Sequence, residues 1–135
     1  MADVNIIPNE NILNSKNDVI GNDIRLNGNS PGYTPSSSTE KITIKLSQND
    51  AQIAVGQIVI QAENFQSVAL SIKTLTNNEW KFYSTLTTDR TIFDNLYATD
   101  LQFQFVSSST TNTTSNVRIG IIGCFPPAGK KTKRF

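Results

Sequence analysis

The sequence contains no histidine and a single cysteine, Cys124. It therefore lacks the commonest general base and the commonest zinc ligand, and it has neither a thiolate metal site nor a Cys-His nucleophile. A phosphate-binding glycine loop is also missing. The carboxylates Asp89, Asp94 and Asp100 lie close together in the sequence, but their spacing does not match a calcium loop. We therefore expect no enzymatic activity, no metal and no cofactor.

Long apolar runs are absent as well. No stretch of 18 apolar residues exists in the 135-residue chain, which excludes a transmembrane helix, so we expect no membrane insertion. Residues 1–5 lack the basic and apolar regions of a secretory signal. We therefore expect the chain to be made without a signal peptide.

Charged residues are scarce, at 17% of the chain, against roughly 25% in typical soluble domains. Asn, Ser and Thr take their place, with 43 residues together. The formal net charge of +1 conceals an uneven distribution: residues 1–40 carry −3, residues 41–129 are neutral, and residues 130–135 carry +4. The pattern is that of an acidic arm, a neutral body and a basic tail.

A period-two alternation of apolar and polar residues begins at Ile42 and continues to the last third of the chain. This alternation predicts strands with one buried face. The phase of the pattern slips at Gly56, where we predict a β-bulge, and Asn77-Asn78 predict a hairpin turn because asparagine tolerates positive φ. The predicted strands lie near residues 41–46, 52–62, 67–76, 79–86, 101–105 and 117–121, and the less regular stretch at 92–97 makes the number six or seven.

Short strands at this spacing, without a helical period, are typical of an all-β protein. We predict an antiparallel β-sandwich of jelly-roll-like form. Residues 41–125 would form the sandwich domain. Residues 1–40, in which apolar residues occur in pairs, would form an extended, irregular polar arm, and residues 126–135 a short basic C-terminal tail.

The densest aromatic cluster is Trp80, Phe82 and Tyr83. Trp80 and Phe82 share one face of the predicted strand, which indicates core packing. Tyr83 points the other way and is a candidate for sugar stacking or for contact with a partner. Tyr97 is a second candidate contact of this kind.

The basic tail has three interpretations: a solvated end, a segment that docks on an acidic neighbour such as the arm of another copy, or a segment that binds nucleic acid or an anionic surface. We expect no nucleic-acid partner, because four cations without a basic groove or interleaved aromatics make a poor footprint. The candidate contacts in the tail are Lys130, Lys131, Lys133, Arg134 and Phe135.

Residues 67–124, under half of the chain, resemble the discoidin or coagulation factor 5/8 type C domain. Ser71-Ile72-Lys73 and Asn77 to Tyr83 are similar to that family's strand, turn and Trp hairpin, Phe93-Asp94-Asn95 to its short Phe-Gly-Asn segment, and Val117 to Cys124 to its closing strand. The family's first cysteine and N-terminal ligand loops have no counterpart here. The resemblance implies a galactose-binding-like β-sandwich.

Two functional hypotheses follow. In the first, the chain is a non-enzymatic structural subunit of a virion (a phage-like decoration, capsid or tail component) or of an appendage, and it self-associates or joins other structural subunits through its sandwich and termini. Its location would be cytoplasmic before assembly, and then a virion or an extracellular assembly. In the alternative, which the resemblance implies, it is a discoidin-like carbohydrate-binding or adhesion module whose loops at one end of the sandwich contact a glycan.

Overall fold

The computed structural model describes residues 7–26, 31–46, 52–76, 78–107 and 114–122. The elements are a 3-10 turn Asn9–Asn11, β1 Ile12–Leu13, α1 Gly21–Ile24, β2 Ile42–Lys45, β3 Ile53–Glu63, β4 Phe65–Lys73, β5 Lys81–Leu86, β6 Arg90–Ala98, β7 Asp100–Ser107 and β8 Ser115–Ile122. No helix within these ranges is long and apolar enough to cross a membrane. The prediction of an all-β protein built as an antiparallel β-sandwich is confirmed.

The strands form two antiparallel sheets. The five-stranded sheet has the order β1-β2-β7-β4-β5, and the three-stranded sheet has the order β6-β3-β8. The chain crosses between the sheets after β2, β3, β5, β6 and β7, so strands that are adjacent in sequence mostly lie in different layers. One hydrophobic core fills the space between the two layers.

Strand alternation determines which side chains enter that core. In β7, Leu101, Phe103 and Phe105 are buried, whereas Gln102 and Gln104 between them point to the outer side of the sheet. Successive side chains of a strand point to opposite faces, so this burial follows directly from the sequence. The outer face of the five-stranded sheet is therefore polar at its centre.

The predicted irregularity at Gly56 is confirmed, because the pairing of β3 with β6 shifts register between Val55 and Gln57. The extra residues lie in β6, where the three residues between Ile92 and Leu96 face Gly56. The predicted hairpin is also confirmed, since β4 and β5 pair antiparallel. Its strands end at Lys73 and begin at Lys81, so the connection is longer than a two-residue turn; Asn77 lies outside the described residues.

The described part of the predicted arm packs on the sandwich of its own chain. Ile12 and Leu13 form β1 at the edge of the five-stranded sheet, and Ile24 is fully buried. Arg25 and Tyr33 form bridges to Ile119 and Val117, along the side of β8 that does not pair with β3. The division of the chain at residues 40 and 125 stays a prediction.

Gly120 in β8 allows this close packing. A Cβ atom at this position would collide with the side chain of Leu26, which would then have to shift, so glycine lets Leu26 lie directly against the sheet. The tail residues Lys130, Lys131, Lys133, Arg134 and Phe135, like Cys124, lie outside the described residues.

Candidate functional site

A β-bulge in β5 places Phe82 on the outer face of the five-stranded sheet. Leu70 pairs with Ser84 and Ser71 pairs with Phe82, so Tyr83 is an extra residue without a partner on β4. A bulge reverses the alternation beyond it. Phe82 therefore leaves the core face that Leu86 occupies, and its side chain is 62% exposed. The prediction that Phe82 packs in the core is wrong for this reason.

Trp80 lies beside the same face. The Nζ atom of Lys73 stands 4.8 Å from the centroid of the Trp80 ring, within the range of a cation–π interaction. Lys73 follows Ser71 on the outer side of β4, and Trp80 is half-buried. Because Lys73 lies on the outer side of β4, this contact places the indole on the same outer side, so Trp80 and Phe82 both border the polar face.

Side chains that form hydrogen bonds extend from Phe82 across the sheet. Ser71 pairs with Gln102, and Gln102 pairs with Thr43, which places the three in one row perpendicular to the strands. The next row contains Asp100 between Lys73 and Lys45. We call the surface formed by Thr43, Ser71, Lys73, Trp80, Phe82 and Gln102 the aromatic–amide face.

The side chains of this face offer a ligand hydrogen-bonding groups and an apolar ring surface. Hydroxyl and amide side chains both donate and accept hydrogen bonds, and an exposed ring offers an apolar surface. Asp100 is held by the hydroxyl of Thr99, which donates to its Oδ1 atom at 2.7 Å. Among the described residues, no group of three His, Cys, Asp or Glu side chains is placed to hold a metal ion.

The two tyrosines selected from the sequence lie elsewhere. Tyr83, at the bulge, packs edge-on against Phe93 of the other sheet, with ring centroids 6.1 Å apart, and is 40% exposed. Tyr97 lies between the buried residues Leu96 and Ala98, so it points to the outer face of the three-stranded sheet, on the opposite side of the sandwich. Neither belongs to the aromatic–amide face.

Sequence reasoning missed Phe82, Ser71 and Gln102 as site residues. For Phe82 no signal was available, because a bulge without glycine leaves no mark in the pattern. For Gln102 a signal did exist: two glutamines alternate with three large apolar residues in β7, which is typical of a strand that presents amides to solvent.

A separate polar cluster holds the N-terminal segment. The Glu40 carboxylate accepts hydrogen bonds from the Tyr33 hydroxyl, from the Ser36 backbone N–H at 2.9 Å and from the Ser36 hydroxyl at 2.6 Å. Burial acts to raise the pKa of Glu40, but the hydrogen bonds from Ser36 and Tyr33 outweigh it, and the pKa lies below its usual value. Burial, together with the hydrogen bond to Glu40, raises the pKa of Tyr33 to about 12.

The hydrogen bonds at the Tyr33–Glu40 cluster are internal to the chain. The Tyr33 hydroxyl also accepts from the Asn14 side-chain amide at 3.2 Å, and the Tyr33 backbone exchanges two hydrogen bonds with Val117. Because these partners belong to the sandwich or to the segment covering it, the cluster connects the N-terminal segment to the sandwich, and we take the aromatic–amide face as the candidate site.

Comparisons with known proteins show the fold. No family model matches the chain, and no curated protein does either. Among solved structures, it is similar to CpGH89CBM32-6 produced by Clostridium perfringens, with 13% identity, coverage of 89% of this chain and 98% of that chain, and a TM-score of 0.57.

A second similar structure is chitosan-binding module 1 derived from a chitosanase/glucanase of Paenibacillus sp. IK-5, with 14% identity, coverage of 91% and 100%, and a TM-score of 0.53. A selenomethionine-labelled mutant of that module has 15% identity, coverage of 85% and 95%, and a TM-score of 0.52. These neighbours are carbohydrate-binding modules with a galactose-binding-like β-sandwich, the fold that the discoidin resemblance implies. At this identity the likeness establishes the fold alone.

The comparisons bear differently on the two functional hypotheses. They offer no support for a virion or appendage subunit, and the similar structures belong to the class of protein that the alternative hypothesis names. The chitosan-binding module is derived from an enzyme, a chitosanase/glucanase. Self-association, location outside the cytoplasm and the absence of catalysis stay predictions.

Proposed function

We propose that the chain is a carbohydrate-binding module and that it holds a glycan on the aromatic–amide face. The observation that carries the proposal is the exposed ring of Phe82 beside the row of Ser71, Gln102 and Thr43. The likeness of the fold to carbohydrate-binding modules supports it.

A sugar ring matches this surface in two ways. Its C–H face is apolar and packs against an aromatic ring such as Phe82. Its hydroxyl groups donate and accept hydrogen bonds, as do the hydroxyls of Ser71 and Thr43 and the amide of Gln102. One ring beside a row of hydrogen-bonding groups fits a chain of sugars lying across the strands.

The proposed site lies at a different place in the sandwich from the one that the discoidin resemblance implies. The discoidin resemblance implies contacts from loops at one end of the sandwich, whereas Phe82 and the hydrogen-bonding row lie on the sheet itself. A surface of this kind is open rather than enclosed, so we expect it to bind along a polymer and not to require a chain end.

Truncation of Phe82 tests the proposal. If a sugar covers roughly 60–80 Å² of the ring, at about 25 cal/mol per Å² the Phe82→Ala variant loses about 1.5–2 kcal/mol, a roughly tenfold to thirtyfold increase in Kd. A glycan array first identifies the glycans that the wild type binds. Affinity electrophoresis in gels that contain the corresponding polysaccharides then compares the variants with the wild type. Gln102→Ala should also weaken binding, by a smaller factor.

Tyr83→Ala is the matched control, because it removes the neighbouring aromatic ring, which packs against Phe93 rather than on the face. It should retain the affinity of the wild type. Weakened binding by Tyr83→Ala with unchanged binding by Phe82→Ala would move the site to the sheet edge. No retention of the folded wild type by any glycan would overturn the proposed function.

A further inference from the structure

The strand β6 presents a free edge of the three-stranded sheet. It pairs with β3 through Ile92 opposite Gln57 and Arg90 opposite Val59, and within the described residues no strand pairs with its other side. The opposite edge of this sheet, β8, is covered by the bridges from Arg25 and Tyr33. Unpaired edges of this length are a template for another strand.

The backbone groups of Arg90 and Ile92 point toward the free side. The Ile60 N–H donates to the carbonyl of Asp89 at 2.8 Å, just before β6 begins. Hydrogen-bonded and non-hydrogen-bonded positions alternate in an antiparallel pair, so Thr91 also faces β3 and Arg90 and Ile92 face away from it. The Arg90 carbonyl accepts one hydrogen bond from the Thr88 hydroxyl at 2.9 Å and retains a second lone pair.

The side chains on this edge form a self-complementary pattern. Arg90, Ile92 and Asp94 are exposed, whereas Thr91 and Phe93 between them are half-buried. Ile92 is 70% exposed, the largest value among the exposed large hydrophobic residues described. Arg90, Ile92 and Asp94 therefore give the order cation, apolar residue, anion at alternate positions. A second copy that runs antiparallel would place its anion opposite this cation and its apolar residue opposite this apolar residue.

We propose that two copies of this chain pair through β6, antiparallel, about a two-fold axis at Ile92. Ile92 then lies opposite Ile92 of the second copy as a hydrogen-bonded pair, and Arg90 lies opposite Asp94 of the second copy. The symmetry repeats the Arg90–Asp94 pairing on the other side of the axis. Opposite charges on directly facing residues stabilise such a pair, and like charges destabilise it.

Two features of β6 limit the strength of the contact. Its register with β3 shifts between Ile92 and Leu96, so the regular part of the strand is short, and the Arg90 guanidinium already donates to the side-chain oxygen of Gln57. A contact this small lies below the size of a standard stable interface. We therefore expect a weak dimer, with a Kd on the order of 0.1 mM.

The pairing has a consequence for glycan binding, and this part rests on the proposed function. A two-fold axis perpendicular to a continuous antiparallel sheet leaves both copies with the same face upward. The aromatic–amide faces of the two copies then point in the same direction. A polysaccharide surface would engage both faces at once, which raises the apparent affinity without any new contact.

Charge reversal tests the pairing by sedimentation equilibrium at protein concentrations up to about 1 mM. Wild type should show a reversible dimer. Arg90→Asp and Asp94→Arg should each raise the dimer Kd by about tenfold or more, because each places two like-charge pairs across the axis. The double variant Arg90→Asp/Asp94→Arg should return the Kd to near the wild-type value.

Circular dichroism and thermal melts establish that each variant is folded. A wild type that stays monomeric to 1 mM overturns the proposal, as does a double variant that stays as weak as the single ones. A wild-type dimer that neither single reversal weakens would place the interface on another surface and also overturn it.

A disulfide trap provides an independent measurement. In a Cys124→Ser background, Ile92→Cys should crosslink under mild oxidation, because the Cα atoms of a hydrogen-bonded pair lie about 5.5 Å apart, within disulfide range. Val19→Cys is the control and should stay monomeric, because Val19 is also exposed but does not belong to β6. Equal crosslinking of both variants would contradict the axis at Ile92.

The dimer and the proposed function fail separately. Phe82→Ala should leave the dimer Kd unchanged, and Asp94→Arg should leave the affinity for a short, monovalent oligosaccharide unchanged while weakening retention on the polysaccharide. A dimer without glycan binding would refute only the proposed function.

Discussion

Replacing Glu40 by glutamine removes the charge from the cluster that joins the N-terminal segment to the sandwich. The carboxylate accepts three hydrogen bonds, two from Ser36 and one from Tyr33, and Glu40 is buried. Glutamine has nearly the same volume, so the variant tests charge and acceptor capacity rather than packing. The Glu40 carboxylate accepts a hydrogen bond from the Tyr33 hydroxyl, whereas the amide nitrogen of glutamine can only donate one.

The expected loss follows from the three contacts. Hydrogen bonds to charged groups contribute about 1.5–3 kcal/mol, and neutral ones about 1 kcal/mol. Glutamine keeps one carbonyl oxygen for Ser36 and loses the charge on all contacts, so we expect Glu40→Gln to lower the free energy of unfolding by about 1–2 kcal/mol at pH 7. Tyr33→Phe should cost a similar amount, and the double variant less than the sum.

The pH dependence gives the sharper test. Because the folded pKa of Glu40 lies below the ordinary value of 4.5, its contribution is fully present above that value and is lost as the pH falls through the folded pKa. Protonated glutamic acid resembles glutamine, so the difference between wild type and Glu40→Gln should shrink toward zero in this acidic window. Burial alone would raise the pKa and produce the opposite trend.

The assay is urea unfolding at pH 7 and near pH 3, followed by the fluorescence of Trp80, the one tryptophan of the chain. Glu63→Gln is the control, since Glu63 is exposed, and its effect should stay within about 0.5 kcal/mol. A Glu40→Gln variant as stable as wild type at pH 7, or a difference that grows on acidification, would refute the reasoning.

Two further predictions concern single positions. Gly32 has a φ of 123°, and a Cβ there would lie 2.6 Å from the carbonyl carbon of Asn116. Gly32→Ala should therefore lower the free energy of unfolding, measured by urea unfolding, by about 2 kcal/mol or more. A variant as stable as the wild type would contradict this prediction. Tyr83→Ala should lower stability by about 1 kcal/mol through the lost contact with Phe93, measured in the same way, and an unchanged midpoint would mean that the ring pair contributes nothing.

Strands from β2 onward could be predicted where they have one buried face. Ile42 and Ile44 in β2, and Leu101, Phe103 and Phe105 in β7, are buried as their alternation indicates. Gly56 marked the shift in register because it lies where the alternation of apolar residues in β3 slips, and a glycine at such a point indicates a bulge. Local patterns of this kind depend on neighbours within a few residues, so they do not depend on how the strands are ordered in the sheets.

The N-terminal segment shows the limit of such patterns. Its apolar residues come in pairs, without a strand or helix period, and this predicted an irregular arm. In the structure Ile12, Ile20 and Ile24 are buried in the same core as the strands. An irregular chain buries whichever side chains its path brings against the sheet, and contacts distant in sequence decide that path, such as the bridge between Tyr33 and Val117.

The sequence by itself determined the all-β class, the strands and the absence of histidine chemistry, because these depend on composition and on a period of two. Only the tertiary structure decided which residues form the candidate site. The bulge at Tyr83 turned Phe82 outward, and the strand order brought Ser71, Gln102 and Thr43 into one row, although they lie up to 59 positions apart in the sequence. Pairing across the sheet, which no local pattern encodes, created the surface.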